Sequence, residues 1–343
     1  MLFRQLFDAQ SCTYSYLLAA PTGQAVLIDP VLEQADRDST LIEELGLTLI
    51  HTIETHVHAD HITASGVLRN RLGSRSVMSR QAGVGCADIL VDDGDFIEFG
   101  ALRLEVRQTP GHTAESICVV LADHSMVFTG DTLFIRGCGR TDFQAGDPHQ
   151  LYRSVHQKIF TLPDACLIYP GHDYAGRTVS TVGEEKSFNP RLGAGKSEAE
   201  FVAIMNALNL PKPKLIDSAV PANQQCGFER PDVKRAGNGV PEVSVDWVHK
   251  HRDQVRLVDV RSEKEFSGDL GHIEGATLVE LGRLKTAVSD WNRHQTIITV
   301  CRSGRRSGDA AKTLEAMGFK SVASMAGGML GWHKAIPGRM AAS

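Results

Sequence analysis

Along the chain, short apolar runs of strand length alternate with longer stretches whose apolar residues recur at helical spacing. Leu2, Phe3, Leu6 and Phe7 open in a strand-like pattern. Strands are predicted at Tyr14–Leu18 and Ala25–Ile28, followed by a helix over Gln34–Leu45. The run Leu47–Ile53 predicts another strand, and Ile62–Leu72 a second helix. Further strands fall at Leu102–Gln108, Ser125–Thr129 and Cys166–Tyr169. A helix over His149–Phe160 has Asp147-Pro148 as its start signal, and one over Phe201–Leu208 is stopped by Pro211 and Pro213. The stretch Phe228–Val243 holds Pro231, Gly237, Asn238, Gly239 and Pro241 among charges, so it reads as a linker. Beyond it come strands at Val255–Val260 and Thr296–Val300 and a helix to Met317, with Gly318 as its stop. The expected organisation is α/β throughout, with a first domain over residues 1–227, a linker over 228–243 and a second domain over 244–343.

The residues at the strand ends change the picture. Leu47–Ile53 runs into Thr55-His56-Val57-His58-Ala59-Asp60-His61, which packs four metal-competent side chains into six positions. Leu102–Gln108 runs into Gly111-His112, Ser125–Thr129 into Gly130-Asp131, and Cys166–Tyr169 into Gly171-His172-Asp173. A lone His is more often an ordinary core or surface residue. Four strand ends that each deliver a His or Asp are hard to obtain by accident, and they predict a metal site.

Composition narrows the class. At 343 residues, 42% hydrophobic and 22% charged, the chain is globular and long enough for two domains. A net charge of −5 without a long Lys or Arg run argues against nucleic acid as a partner. No apolar segment approaches membrane-spanning length, so no membrane partner is expected. Met1–Gln10 lacks a charged-then-apolar signal pattern. Seven cysteines without regular spacing argue for a reducing compartment and against a disulfide framework. A cytoplasmic, bacterial protein is expected, with Cys12, Cys86, Cys118, Cys138, Cys166 and Cys226 in structural roles.

His56, His58, Asp60 and His61 match the His-x-His-x-Asp-His signature of the metallo-β-lactamase superfamily, and His112, Asp131 and His172 match its remaining ligand positions. The resemblance covers about the first two thirds of the chain and implies an αββα sandwich with the metal in a cleft at one edge. Ligands alone leave the reaction open, because every residue of a two-metal site is present. A glyoxalase II-like thioester hydrolase with two zinc ions is the rival. It would continue into a helical domain with basic residues, whereas only Gly183–Cys226 precedes the linker here. Ile135-Arg136-Gly137-Cys138-Gly139-Arg140-Thr141-Asp142-Phe143-Gln144 and Pro170-Gly171-His172-Asp173-Tyr174 resemble the glutathione persulfide dioxygenase family. So does Leu210–Gly227, with Ala219-Val220-Pro221-Ala222-Asn223. That resemblance implies one Fe(II) per chain held by His56, His112 and Asp131, a facial triad with open positions for O₂ and substrate. It also implies that His58, Asp60, His61 and His172 orient ligands or water, and that Arg140, Tyr174 and, more weakly, Arg177 bind glutathione.

The second unit carries its own chemistry. Thr296–Val300 leads to Cys301-Arg302-Ser303-Gly304-Arg305-Arg306-Ser307 at the start of a helix. A Cys there faces backbone N–H groups and the positive end of a helix, with three Arg nearby, and all of these favour the nucleophilic thiolate. A cysteine phosphatase would need Arg where Ser307 stands and His where Val300 stands. The loop fits Cys-x-x-Gly-x-Arg and resembles the rhodanese sulfurtransferase family. Asp259-Val260-Arg261, Gly271-His272-Ile273-Glu274-Gly275-Ala276 and Gly327-Gly328-Met329-Leu330-Gly331-Trp332 resemble its other landmarks, over Val243–Pro337.

Together the resemblances imply an N-terminal metallo-β-lactamase sandwich and a C-terminal rhodanese α/β domain. The implied enzyme is bifunctional. Glutathione persulfide is oxidised by O₂ to sulfite and glutathione, and Cys301 carries sulfane sulfur between thiosulfate and glutathione. A sulfur-carrier or sensor module is the non-enzymatic alternative. Homo-oligomerisation is left open.

Overall fold

The strands Thr13–Ala19 and Gln24–Ile28 form where side chains on both faces of a sheet are buried, Gln24 apart. The computed structural model describes residues 1–227, 233–291, 293, 296–319 and 321–336. In the first part of the chain the strands are β1 (Leu2–Asp8), β2 (Thr13–Ala19), β3 (Gln24–Ile28), β4 (Thr48–Ile53), β5 (Arg75–Ser79), β6 (Ile89–Val91), β7 (Phe96–Phe99), β8 (Leu102–Gln108), β9 (Ile117–Leu121), β10 (Met126–Gly130), β11 (Leu167–Pro170) and β12 (Ser180–Thr181). Helices α1 (Ala35–Glu44), α2 (Ser65–Leu72), α3 (Pro148–Ser154), α4 (Val182–Phe188), α5 (Glu198–Asn206) and α6 (Ile216–Asn223) lie between or after them. The chain divides into two compact units, Met1–Gly66 with Arg75–Phe228 and Val67–Ser74 with Glu229–Ser343, so the cut passes through α2.

Two six-stranded sheets make up the first unit, in orders β1-β2-β3-β4-β5-β6 and β12-β11-β10-β9-β8-β7. Strand β9 shows why they stack. Ile117, Val119 and Leu121 join Tyr16, Leu18, Val26 and Ile28 of the other sheet in one core. The alternate residues Cys118 and Val120 face the opposite way, into a core shared with Leu151, Val155, Ile159 and Phe201. A period of two therefore puts a sheet on one side of β9 and helices on the other. Asp147 caps α3 through the N–H groups of His149 and Gln150, with Pro148 opening the helix. One π-type turn, Val155–Ile159, continues it.

Strands β13 (Lys234–Arg235), β14 (Pro241–Val243), β15 (Arg256–Asp259), β16 (Thr277–Leu278), β17 (Thr296–Val300) and β18 (Ser321–Met325) form a third sheet, ordered β13-β14-β18-β17-β15-β16. Helices α7 (Val245–His251), α8 (Glu263–Phe266), α9 (Leu284–Ala287), α10 (Arg305–Ala316) and α11 (Gly328–Ala335) complete the second unit. Its strands from β14 to β16 pair in parallel. The C-terminal ends of parallel strands are where ligand crevices form, and β17 delivers Cys301 to such an end.

The stretch Phe228–Val243 is not a plain linker. It supplies β13 and β14, which pair antiparallel. Val240 and Val243 are buried, so a Pro- and Gly-rich stretch with two well-placed valines closes the edge of a sheet. Residues 228–232 of that stretch, and Pro337 at the end of the second resemblance, lie outside the described residues.

Candidate metal centre and sulfur-transfer loop

Strand β4 leads into the His56–His61 loop, β8 into His112, β10 into Asp131 and β11 into His172. Their side chains converge. One ligand atom each from His56, His112 and Asp131 lie within 4.8 Å of one another. Each ligand is also held through its other polar atom. His56 Nδ1 is 3.0 Å from Thr55 Oγ1, whose hydroxyl donates to Asp29 at 2.8 Å. His112 Nδ1 donates to the Arg140 carbonyl at 2.7 Å, which leaves Nε2 as a lone pair 3.5 Å from Asp131 Oδ2. Asp131 Oδ1 accepts from His172 Nδ1 at 2.7 Å. Two imidazoles and one carboxylate, each anchored at the far atom and free at the near one, are the donor set of a divalent transition-metal site.

Electrostatics agree with that fit. Burial and the neighbouring His58 lower His56 well below the ordinary histidine value, which favours the neutral ring a metal needs. Burial would raise Asp131, but His172, then His112 and His56, outweigh it and hold the carboxyl ionised. His172 is raised despite burial, because Asp131 and Asp60 flank it. Its Nε2 lies 2.9 Å from Asp60 Oδ2, and the same oxygen is 2.9 Å from His61 Nδ1.

His58 points elsewhere. Its Nε2 is 3.1 Å from Asp29 Oδ1 and 3.5 Å from Glu54 Oε2. Buried His58 Nδ1 and His61 Nε2 have no hydrogen-bond partner, and His58, Asp60 and His61 make a second donor cluster beside the first.

In the second unit, Cys301 lies between β17 and α10. Its Sγ accepts from the Gly304 N–H at 3.2 Å and the Ser307 hydroxyl at 3.3 Å. Burial would raise the thiol, but the Ser307 hydroxyl, then the N–H groups of Ser307, Ser303 and Gly304, bring it below the ordinary value. Hydrogen bonds thus stabilise the thiolate more directly than the arginines do. Arg306 is tied to Glu265 at 2.6 Å, while Arg302 and Arg305 are exposed around the loop. The Gly327-Gly328 pair explains the loop's support. A Cβ on Gly328 would stand 2.3 Å from the Cys301 carbonyl oxygen, which instead accepts the Met329 N–H at 2.8 Å. Asp259 and Arg261 form a buried ion pair at 2.7 Å, and Arg261 also donates to the Gly271 carbonyl.

A model of the metallo-beta-lactamase superfamily matches residues 13–85 and 86–172, and one of the rhodanese-like domain matches residues 244–335. Mitochondrial persulfide dioxygenase ETHE1 of Bos taurus is 59% identical over 233 residues, covering 67% of this chain and 91% of that protein. The Homo sapiens counterpart shows the same identity and coverage. This chain belongs to the persulfide dioxygenase family, and it carries a rhodanese-like domain at its C-terminal end. The crystal structure of ETHE1 from Myxococcus xanthus, at 58% identity and a TM-score of 0.65, covers 66% of this chain and 100% of its own. A metallo-beta-lactamase from Staphylococcus aureus, 27% identical with a TM-score of 0.61, covers 95% of this chain and 98% of its own. Homology to persulfide dioxygenases and a rhodanese-like domain together support a role in sulfur metabolism.

Within this family member the expected glutathione residues are placed unevenly. Tyr174 is exposed, its ring stacked 5.9 Å from His172 beside the donor cluster. Arg140 comes after the metal loop but is already engaged. It pairs with Asp142 at 2.6 Å and donates to the carbonyls of Leu210 and Pro211. Arg177 is held by Asp173 at 3.1 Å. Cys138 is buried against Met205, and burial pushes its thiol up to about 11, which fits a packing role.

The cysteine pattern misleads at one pair. Cys86 and Cys226, 140 residues apart, form a disulfide. Scattered spacing carries no information about pairs brought together by tertiary structure. Asp29 and Glu54 around the His56–His61 loop, and Glu265 and Ser324 around the Cys301 loop, fall outside the motifs read from the sequence. Asn223 stands in one of them, Ala219-Val220-Pro221-Ala222-Asn223, but its hold on the His58 and His61 carbonyls is not legible there. Among the described residues, no helix is long and apolar enough to cross a membrane.

Proposed function

We propose that this chain is a bifunctional sulfur-oxidation enzyme, with a persulfide dioxygenase domain over residues 1–227 and a sulfurtransferase domain over 244–343 whose sheet also takes β13 and β14 from the stretch before it. The observation that carries the first activity is the donor set of His56, His112 and Asp131, delivered by three separate strand ends. These residues would hold one Fe(II), which would supply open coordination positions and redox chemistry for O₂ and the terminal sulfur of glutathione persulfide. The chain's own part is to orient and to manage protons. The Arg140 carbonyl fixes the His112 tautomer, Thr55 steers His56, and His172 holds Asp131 ionised. Persulfide, O₂ and water give glutathione and sulfite, so the sulfane sulfur loses four electrons and O₂ gains them. Tyr174, Arg140 and Arg177 are the proposed contacts to the glutathione backbone.

In the second domain, Cys301 thiolate attacks the outer sulfur of thiosulfate, the S–S bond breaks, and sulfite leaves with the electron pair. Glutathione thiolate then takes the sulfane sulfur from the Cys301 persulfide and regenerates the thiolate. Ser307 and the Gly304 N–H stabilise sulfur negative charge, while Arg302, Arg305 and Arg306 with Ser303 form the rim an anion meets. A cytoplasmic site of action is part of this reading.

Metal analysis combined with oxygen uptake on glutathione persulfide tests it. One iron per chain and sulfite formation are expected. The unpartnered nitrogens of His58 and His61 favour a second reading, a dinuclear zinc thioester hydrolase. Two zinc ions per chain in anaerobically purified protein, with rapid thioester hydrolysis, would replace the first reading by the second.

A further inference from the structure

The loop that carries His56, His58, Asp60 and His61 has no regular secondary structure between β4 and α2, so its backbone groups need partners from elsewhere. Many come from a segment far along the chain. Asn223 Nδ2 donates to the carbonyls of His58 at 2.9 Å and His61 at 2.8 Å, and its Oδ1 accepts the Thr63 N–H at 2.9 Å. Nearby, the Cys226 carbonyl accepts the Gly66 N–H at 2.9 Å. Gly227, with φ +67°, sits so close that a Cβ would stand 2.0 Å from the Thr63 carbonyl oxygen. One buried amide side chain thus fixes three points of the loop.

The segment that presents Asn223 has little packing of its own. Helix α6 buries only Ala219 and Asn223, and it contains Pro221. Weakly packed elements open locally at low cost. A covalent bond ties this one down. Cys226, three residues beyond Asn223, is bonded to Cys86 in a small apolar cluster that includes Val57 of the loop itself.

We propose that Asn223 is a positioning residue for the His56–Thr63 loop, and that the Cys86–Cys226 disulfide straps it in place, so that thiols loosen the metal centre. This rests on the reading of that loop as metal-binding. The chemistry balances with a low-molecular-weight thiol as reductant. A thiolate attacks Cys86, the more exposed residue of the pair, and Cys226 leaves as thiolate. A second thiol then releases Cys86 and forms the small-molecule disulfide, so two thiols are oxidised as two cysteine thiols appear. A small-molecule disulfide reverses the sequence. Glutathione belongs to that thiol class and is a product of the proposed dioxygenase step.

The test uses the full chain loaded with iron under anaerobic conditions. Metal release to a chelator and hydrogen exchange at the Thr63 and Gly66 amides are followed with and without dithiothreitol. Asn223→Asp keeps the size of the side chain but removes both donations to the loop. It should release metal about tenfold faster or more, the cost of lost buried hydrogen bonds, and exchange both amides faster in either redox state. Cys86→Ser should show a smaller change in the same direction. Reduced wild type should match it, and dithiothreitol should have no further effect on that variant. Sulfur transfer through Cys301 should stay unchanged in all of them, which separates loop loosening from global unfolding. Wild-type release and exchange in Asn223→Asp would remove the clamp. Unchanged wild type after reduction, with two additional thiols titrated, would remove the strap and is independent of any variant's folding. If the wild type holds no metal under any condition, the metal reading fails, and amide exchange alone still decides the clamp.

Discussion

The two sites differ in how much of the fold each needs. The proposed metal centre gathers its donors from three strand ends of two sheets and a supporting His172 from a fourth, and His112 and His172 each depend on a partner that holds a ring nitrogen. The proposed sulfur-transfer loop is seven consecutive residues running from the end of one strand into the first turn of one helix, and its Cys301 is tuned by N–H and O–H groups within six positions. A dispersed site is robust in placement but exposed to distant lesions. A local site carries its chemistry with it and depends on one turn. Damage to one should therefore leave the other largely intact.

The sharpest break of that comparison is a crossed pair of substitutions. His112→Ala removes a donor outright, and oxygen uptake on glutathione persulfide should fall by more than about a hundredfold with loss of iron, a larger effect than removing a residue that merely orients a ligand. Transfer from thiosulfate should persist. Cys301→Ser should do the reverse, because its hydroxyl stays protonated at neutral pH. Transfer should drop on the order of 10⁶-fold, as when a nucleophile is removed, with uptake on preformed persulfide retained. Oxygen uptake from thiosulfate plus glutathione in the Ser variant would show that sulfur does not pass through Cys301.

The same contrast governs how legible each site is in the sequence. Both nuclei can be read because their residues cluster: His56 to His61 in one loop, Cys301 to Ser307 in another. Strand β8, ending before His112, and β17, ending before Cys301, match their apolar runs because a buried strand leaves a regular pattern. The supports cannot be read. Asp29 reaches Thr55 and His58 from 26 and 29 positions away, and Asn223 reaches His58 from 165. An isolated Asp is indistinguishable from a turn residue in one sequence, and the motif that holds Asn223 does not say which loop it meets. The Cys86–Cys226 bond is hidden for the same reason. In the stretch before the second domain, Pro and Gly outweigh Val240 and Val243, although a proline fits an edge or the first residue of a strand, as Pro241 does in β14.

A moderate effect is expected at the edge of the metal centre. Arg140 binds Asp142 and two backbone carbonyls, so any substrate carboxylate must share it. Arg140→Ala should raise KM for glutathione persulfide about tenfold, the value of one charge-assisted hydrogen bond less what Asp142 already claims, with kcat nearly unchanged. A fall in kcat with constant KM would instead make Arg140 a support for His112, whose Nδ1 its carbonyl holds.

Within the local site, Ser307→Ala removes the hydroxyl that contributes most to lowering the Cys301 thiol. The thiolate would then form at higher pH. The direction follows from a lost hydrogen bond to a charged group. Alkylation of Cys301 followed across pH should move its midpoint upward, and the rate at neutral pH should fall in step with the thiolate fraction. An unmoved midpoint would return the credit to the arginines.

The smallest effect concerns Glu265, which holds Arg306 beside the loop. Hydrogen bonding to Arg306 depresses its carboxyl to about 2, against an ordinary glutamate value of 4.5. A depressed carboxyl stabilises the folded state above the unfolded value, and that contribution is lost as pH falls from 4.5 towards 2. Glu265→Gln removes the ionisable partner, so the second domain should lose slightly less stability across that window than wild type does. Both partners are about a third exposed, at 34% and 38% of their side chains, so solvent screens the pair and its net worth is small. Thermal melting of the full chain at neutral pH and within that acid window reads the difference, and the gap between variant and wild type should narrow at the lower pH. Turnover gives a second readout. Freed from Glu265, Arg306 adds a third available cation to Arg302 and Arg305, so KM for thiosulfate should stay level or fall by about twofold, within the range of an exposed ion pair. A clear rise in KM would mean that Arg306 serves the anion only while Glu265 holds it in place, and the local site would then share the dependence on outside supports that marks the metal centre.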